Sequence, residues 1–314
     1  MWSLSLIVFL FLVLHAFAVE ENYRYMVSPG CGEDGTQLIR EWMEQVISWA
    51  QMGADVLGTD ISDERIRTQF ERIFRSTENV KYVKGYYQNL ARFTRYERSY
   101  QEWESERNQY DVEIHCDVDR IVKNTRYPEY NTPYVDMVQE APIEEDSDMF
   151  NFKRGLTTSV AITSSRETTD ETHVWKIHSP EVITINPLRM WQYKKTRPQF
   201  NEKYIQKAAH PKMIRWVKTK VPELVFSRTW KQVDLLDTPA LTLFHEMTHL
   251  MSVARSNDGS GDNADCYGWV KILANKFLGF RTADSLAYFV LLVDLIENYR
   301  YDVEESGDIY KIED

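Results

Sequence analysis

Cysteine, glycine and proline are all scarce in this 314-residue chain. Three cysteines, Cys31, Cys116 and Cys266, are too few to staple a small scaffold. Twelve glycines and ten prolines exclude collagen-like repeats and long flexible linkers. Positive charge is the minority sign, with 37 Lys+Arg against 48 Asp+Glu and a net charge of −11. Phosphate-backbone binding needs clustered cations, so no nucleic-acid partner is expected. The sequon Asn-x-Ser/Thr is missing altogether, so N-glycosylation is not expected. Long apolar runs are missing too, apart from the first eighteen residues. The next most apolar stretch, Ser285 to Ile296, is short and carries Asp294, which reads as a buried helix and not a span.

What is present is enough for a large core. Apolar residues make up 43% of the chain, which suits one large domain or two modest ones. Residues 1–18, MWSLSLIVFLFLVLHAFA, carry no charged side chain and end in Ala16-Phe17-Ala18, followed by Glu20 and Glu21. That is the pattern of a secretory signal peptide cut after Ala18. The run is short for a membrane anchor and has no flanking basic residue, so the expected product is secreted, extracellular and free of membrane. An oxidising route makes one disulfide and one odd thiol the default, without choosing the pair.

Periodicity organises the remainder. Leu38, Ile39, Trp42, Val46, Ile47, Trp49 and Ala50 recur at threes and fours and predict an amphipathic helix over 36–57. Further helices are predicted over 63–75 and 78–95, and the aromatic and charged stretch 96–110 reads as a solvated helix. Val112, Ile114, Cys116 and Val118 alternate with Glu113, His115 and Asp117, the pattern of a half-buried strand with His115 at the surface. Residues 127–149 hold Pro128, Pro133, Pro142 and a run of acids, and read as a linker. Strands are predicted at 158–163, 173–177 and 181–186, with helices from 199 to 301. The expected fold class is therefore α+β and mainly α. A helical N-terminal region spans 19–150, and residues 151–314 form the second unit. The dibasic Lys153-Arg154 could make 19–154 a propeptide, although an ordinary surface pair is the preferred reading.

The chemistry lies in His245-Glu246-Met247-Thr248-His249, which is H-E-x-x-H. Asp237 or Thr238 can cap a helix here, Pro239 suits its first turn, and Ala240, Phe244, Met247 and Met251 give it an apolar face. Residues four apart stack one turn apart, so both imidazoles can reach one cation. Glu246 can then serve as general base. Two neutral imidazoles and a carboxylate suit zinc. His249 is the last histidine, and no glutamate follows until Glu297, so the third ligand is an aspartate: Asp258, Asp262, Asp265 or Asp284.

The segment Gly259-Ser260-Gly261-Asp262-Asn263-Ala264-Asp265-Cys266-Tyr267-Gly268 resembles the G-T-x-x-D-x-x-Y-G element of the aspzincins. These are secreted, mostly fungal zinc endopeptidases of the deuterolysin and lysine-specific kinds. Thr282-Ala283-Asp284-Ser285-Leu286-Ala287-Tyr288-Phe289 is similar to their N-A-D-S-x-x-Y-F helix start. The resemblance covers roughly 180–300. It implies a zincin-like catalytic half with a small sheet and a Zn2+ cofactor. His245 and His249 would be ligands, Glu246 the catalytic glutamate, and Tyr267 the hydrogen-bond donor to the developing oxyanion. Asp262 fits the glycine-to-aspartate spacing of the family and is the preferred third ligand, with Asp265 as the alternative, because Ala264 stands three residues before Tyr267. Asp284 would face substrate or cap its helix. Ala287, where the lysine-specific branch has an acid, removes the implication of lysine specificity. Protein or peptide substrates follow. The other readings are a catalytically weak or inactive binding protein on the same fold, and a zinc scavenger that has no need of Glu246.

Overall fold

A computed structural model describes residues 23–58, 60–125, 132–145, 147–156, 159–164, 179–220, 230–258, 267–274 and 279–313. The expected signal peptide, the strand expected at 173–177, Asp262, Asp265 and Cys266 lie outside the described residues. The strands are Arg24–Val27 (β1), Thr94–Arg95 (β2), Val112–His115 (β3), Ile121–Lys123 (β4), Tyr134–Asp136 (β5), Ala141–Ile143 (β6), Ala161–Ser164 (β7), Glu181–Ile185 (β8), Tyr301–Val303 (β9) and Ile309–Lys311 (β10). The helices are Gly32–Val56 (α1), Glu64–Phe74 (α2), Val80–Ala91 (α3), Tyr100–Glu106 (α4), Asp148–Lys153 (α5), Pro187–Thr196 (α6), Glu202–Ala209 (α7), Pro211–Lys220 (α8), Pro239–His249 (α9), Trp269–Ala274 (α10) and Ala283–Tyr299 (α11). The class is α+β with helix predominant, as composition and periodicity predict.

The main sheet runs β2-β1-β3-β8-β7. Its strands are parallel except β7, which lies antiparallel to β8 with Thr163 opposite Ile183. On one face, Val112, Ile114, Ile183 and Ile185 join α1, α9 and α11 in a core that extends from Tyr25 to Ile312. Strands from both sides of residue 150 thus share one sheet and one core. Removing residues 19–154 would strip β1, β2 and β3 from it, along with the helix α1 that packs on α9. Parallel strands buried on both faces tend to read as continuous apolar runs, and β8 does (Val182, Ile183, Thr184, Ile185).

Cys31 and Cys116 form a disulfide across 85 residues. It joins the turn after β1 to the residue following β3. Closing a loop of that length removes roughly 4–5 kcal/mol of unfolded-chain entropy in the chain-entropy account.

The other sheet face corrects three expectations. β3 is not half-buried: Glu113 and His115 are enclosed as fully as Val112 and Ile114. The cover is the 96–110 segment, which is not a solvated helix. Only Tyr100–Glu106 is helical, and Trp103 is fully buried against the strand. The stretch 127–149 is also more than a linker. β5 and β6 within it pair with β4 in a three-stranded sheet, fastened by the buried Arg120–Asp136 pair at 2.9 Å. Polar residues on a strand signal solvent only when nothing covers them, and here an aromatic helix does.

Glu113 is the centre of that buried polar layer. Its carboxylate meets the Tyr100 hydroxyl, the Trp103 indole N–H at 3.0 Å, Arg107 at 3.0 Å and His115 Nε2 at 2.9 Å. Burial alone would raise its pKa, but the contacts to His115, Tyr100 and Trp103 outweigh it and hold the carboxyl at about 2, against an ordinary 4.5. A depressed carboxyl stabilises the fold above its unfolded pKa, and that stability is lost as pH falls through the folded value. The layer should therefore contribute ~3 kcal/mol at neutral pH, lost between about pH 4.5 and 2. Urea midpoints measured at pH 6 and pH 2.5 should fall with acid in the native chain and much less in Glu113→Gln. Equal acid sensitivity in both would overturn this account.

Candidate metal centre

α9 forms where its local signals require. The Thr238 hydroxyl caps the helix by accepting the Leu241 amide at 3.3 Å, and Pro239 occupies the first turn. Ala240, Phe244 and Met247 are buried in the core. The helix stops at His249, so Met251 leaves the apolar face and is exposed. The Met251 amide instead donates to both oxygens of Glu181, at 3.0 Å each, tying the helix exit to β8.

His245 and His249 project side by side, with their Nε2 atoms 3.2 Å apart. Their other nitrogens are fixed by groups that can only accept. His245 Nδ1 lies 2.7 Å from Asp284 Oδ1, and His249 Nδ1 lies 3.0 Å from the Ser256 carbonyl. Each neutral ring therefore carries its proton on Nδ1 and turns an Nε2 lone pair inward. Asp258 Oδ1 completes the set at 3.0 Å from His245 Nε2 and 3.3 Å from His249 Nε2. That oxygen is buried and has no hydrogen-bond partner among the described residues.

Three acceptors facing one another repel unless a cation sits among them. Their spacing fits one: metal bonds of about 2.0–2.2 Å set roughly 3.4 Å between tetrahedral ligands. The electrostatics agree. Burial disfavours an imidazolium at His245, yet Asp258 and Asp284 outweigh it and raise the pKa well above the usual histidine range. Burial likewise opposes ionisation of Asp258, and His245 and His249, when protons fill their inward nitrogens, hold it well below the usual carboxylate range. The site thus favours positive charge at its centre, and the donor set of two imidazoles and a carboxylate suits zinc.

Asp258 follows two residues that are pinned to neighbouring elements. The Ser256 amide donates to the Thr248 carbonyl at 3.0 Å, and the Ser256 and Thr248 hydroxyls meet at 2.8 Å. Asn257 exchanges backbone bonds with Arg281 and Ala283 at the start of α11. Among the described residues Asp258 is the acid that stands beside the two imidazoles; Asp262 and Asp265, which the family spacing favours, lie outside the described residues. Asp258 is one of the four candidate aspartates and the first acid after His249.

Thr282, not Asp284, occupies the cap position of α11. Instead one Asp284 oxygen holds His245, and the other accepts the Gly268 amide at 2.6 Å. An acceptor behind a ligating histidine fixes its tautomer and orientation, typically worth 10–100-fold in metal affinity. Asp284→Asn should weaken zinc binding by about that factor in a competition titration against a chromophoric chelator. An unchanged affinity would overturn the orienting role.

Tyr267 stacks on His245, with ring centroids 5.6 Å apart and planes 20° apart. Its pKa is raised, first by burial and then by the charge of Asp258, with which its hydroxyl is hydrogen-bonded. It stays a neutral phenol and hence a donor. Glu246 is enclosed beside the donors, and its Oε2 takes the Thr163 hydroxyl of β7 at 2.7 Å. Nothing local in the sequence signals Thr163, because its partner is 83 residues away.

Comparison with family models, with curated proteins and with solved structures finds no match to this chain.

Proposed function

We propose that this chain is a secreted, zinc-dependent endopeptidase of the aspzincin kind, with a zincin-like catalytic unit. The observation that carries the reading is the convergence of His245 Nε2, His249 Nε2 and Asp258 Oδ1 within 4.8 Å of one another, with the Glu246 carboxylate near enough for its charge to act on both imidazoles. His245, His249 and Asp258 would hold the metal. Zinc bound there supplies Lewis-acid polarisation and a nucleophile at neutral pH.

The chain's own groups account for the proton movements. Glu246, oriented by Thr163, takes a proton from the attacking water as its oxygen bonds to the peptide carbonyl carbon. Tyr267 donates a hydrogen bond to the carbonyl oxygen as negative charge builds there. Glu246 then returns the proton to the amide nitrogen as the C–N bond breaks. Substrate positioning falls to β7. Among the described residues it pairs only with β8, so its outer edge can add an extended peptide by backbone hydrogen bonds beside Glu246.

The test follows cuts in denatured casein by mass spectrometry, on the secreted chain with its zinc content measured. Cuts that vanish with chelator and return with zinc support the reading. Stoichiometric zinc without cuts would overturn the enzyme and favour the binding protein. A chain without zinc affinity would overturn the centre itself.

A further inference from the structure

We propose that Asp234 is a positioning residue for Tyr267, holding the turn that sets the phenol over His245. The inference rests on the peptidase reading and adds to it a residue that the motif does not contain. Asp234 is buried in the short 3-10 helix Val233–Leu236, 33 positions before Tyr267. Its Oδ1 accepts the Trp269 amide at 2.8 Å and the Tyr288 hydroxyl at 2.8 Å, and its Oδ2 accepts the Lys231 amide at 2.7 Å. The Gly268 amide goes to Asp284. Both amides that follow Tyr267 therefore end on carboxylates supplied by other elements.

The turn has little freedom to relax. Gly268 has φ +82°, a left-handed conformation that side chains adopt only under strain. A Cβ at that position would stand 3.3 Å from Asp234 Oδ1. The far side of Asp234 is anchored as well. The Val233 amide donates to the Gly307 carbonyl at 3.1 Å, and the Ile309 amide to Gln232 Oε1 at 2.7 Å. Trp269, fully buried, sends its indole N–H to the Glu305 carbonyl at 3.0 Å. The turn between β9 and β10 therefore grips both the Asp234 helix and the residue two beyond Tyr267. These hydrogen bonds of Asp234 go to Lys231, Trp269 and Tyr288. None goes to His245, His249 or Asp258, so its influence runs through the placement of Tyr267.

The experiment is a double-mutant cycle on the full-length, zinc-loaded protein, with fluorescein-labelled casein as substrate. Asp234→Asn should lower kcat about 10–100-fold, leave KM within about twofold, and leave zinc stoichiometry intact. In a Tyr267→Phe background the same substitution should cost less than about twofold, because the group it positions is already gone. Equal fold losses in both backgrounds would mark a merely structural carboxylate and overturn the assignment, as would loss of zinc. Should Asp234→Asn fail to fold, Tyr288→Phe removes one of the hydrogen bonds at Asp234 Oδ1 and carries the same cycle. A native chain without turnover sinks the peptidase reading and this inference together. A native chain with turnover and multiplicative losses sinks this inference alone.

Discussion

Glu246→Gln should abolish casein cleavage, with kcat/KM falling by about 10²–10⁴ while zinc stays at one per chain. Glutamine keeps the shape of the side chain and can still accept from the Thr163 hydroxyl, so the packing around α9 has no reason to change. What it loses is the ability to take up a proton at neutral pH. The proposed metal donors are His245, His249 and Asp258, and Glu246 is not among them, so the ion should stay. Turnover and metal content should therefore separate cleanly. Mass spectrometry of the casein digest and atomic absorption on the same sample read both. Undiminished cleavage in the variant would remove Glu246 from the reaction. A partner protein bound equally well by native and variant chains would point to binding in place of turnover.

Asp258→Ala should empty the centre. Zinc binding of about 10–16 kcal/mol shared among four ligands gives one ligand ~3–4 kcal/mol, or a loss of roughly 10²–10³-fold in affinity. The variant should therefore purify with little zinc. Asp262→Ala and Asp265→Ala should retain it. The contrast decides directly between the geometric assignment and the spacing of the family element. Retention of full affinity by Asp258→Ala, with loss in Asp262→Ala, would return the ligand role to the residue that the spacing favours. Cleavage should follow metal content in every case.

These expectations show where the sequence was informative. α9 and its two histidines were legible because everything that defines them is local: a threonine cap, a proline in the first turn, and ligands one turn apart. The length and amphipathic face of α1 were legible for the same reason. The place of Asp258 was harder to see, because the backbone that brings it beside the imidazoles is held by Ser256, Asn257 and the start of α11, far from any local pattern. Asp284 was singled out, but its role behind His245 depends on how α11 crosses α9. The polar side of β3 misled because alternation shows which side chains share a face and not what covers that face. Trp103, nine residues before the strand, supplied the cover. Strand β1 went unread because a four-residue run, Arg24-Tyr25-Met26-Val27, is too short to display a period.

The Cys31–Cys116 link also bears on the order in which a growing chain can close. Both partners, and the strands they join, precede Cys266 by at least 150 positions. At about 5–20 residues per second, a ribosome needs roughly 10–30 s to cover that distance. A chain entering an oxidising compartment as it is made can therefore pair Cys31 with Cys116 before the third thiol exists to compete. In such a chain the native bridge would need no later rearrangement, and the β1–β3 pair onto which β8 adds would be fastened before the H-E-x-x-H helix emerges.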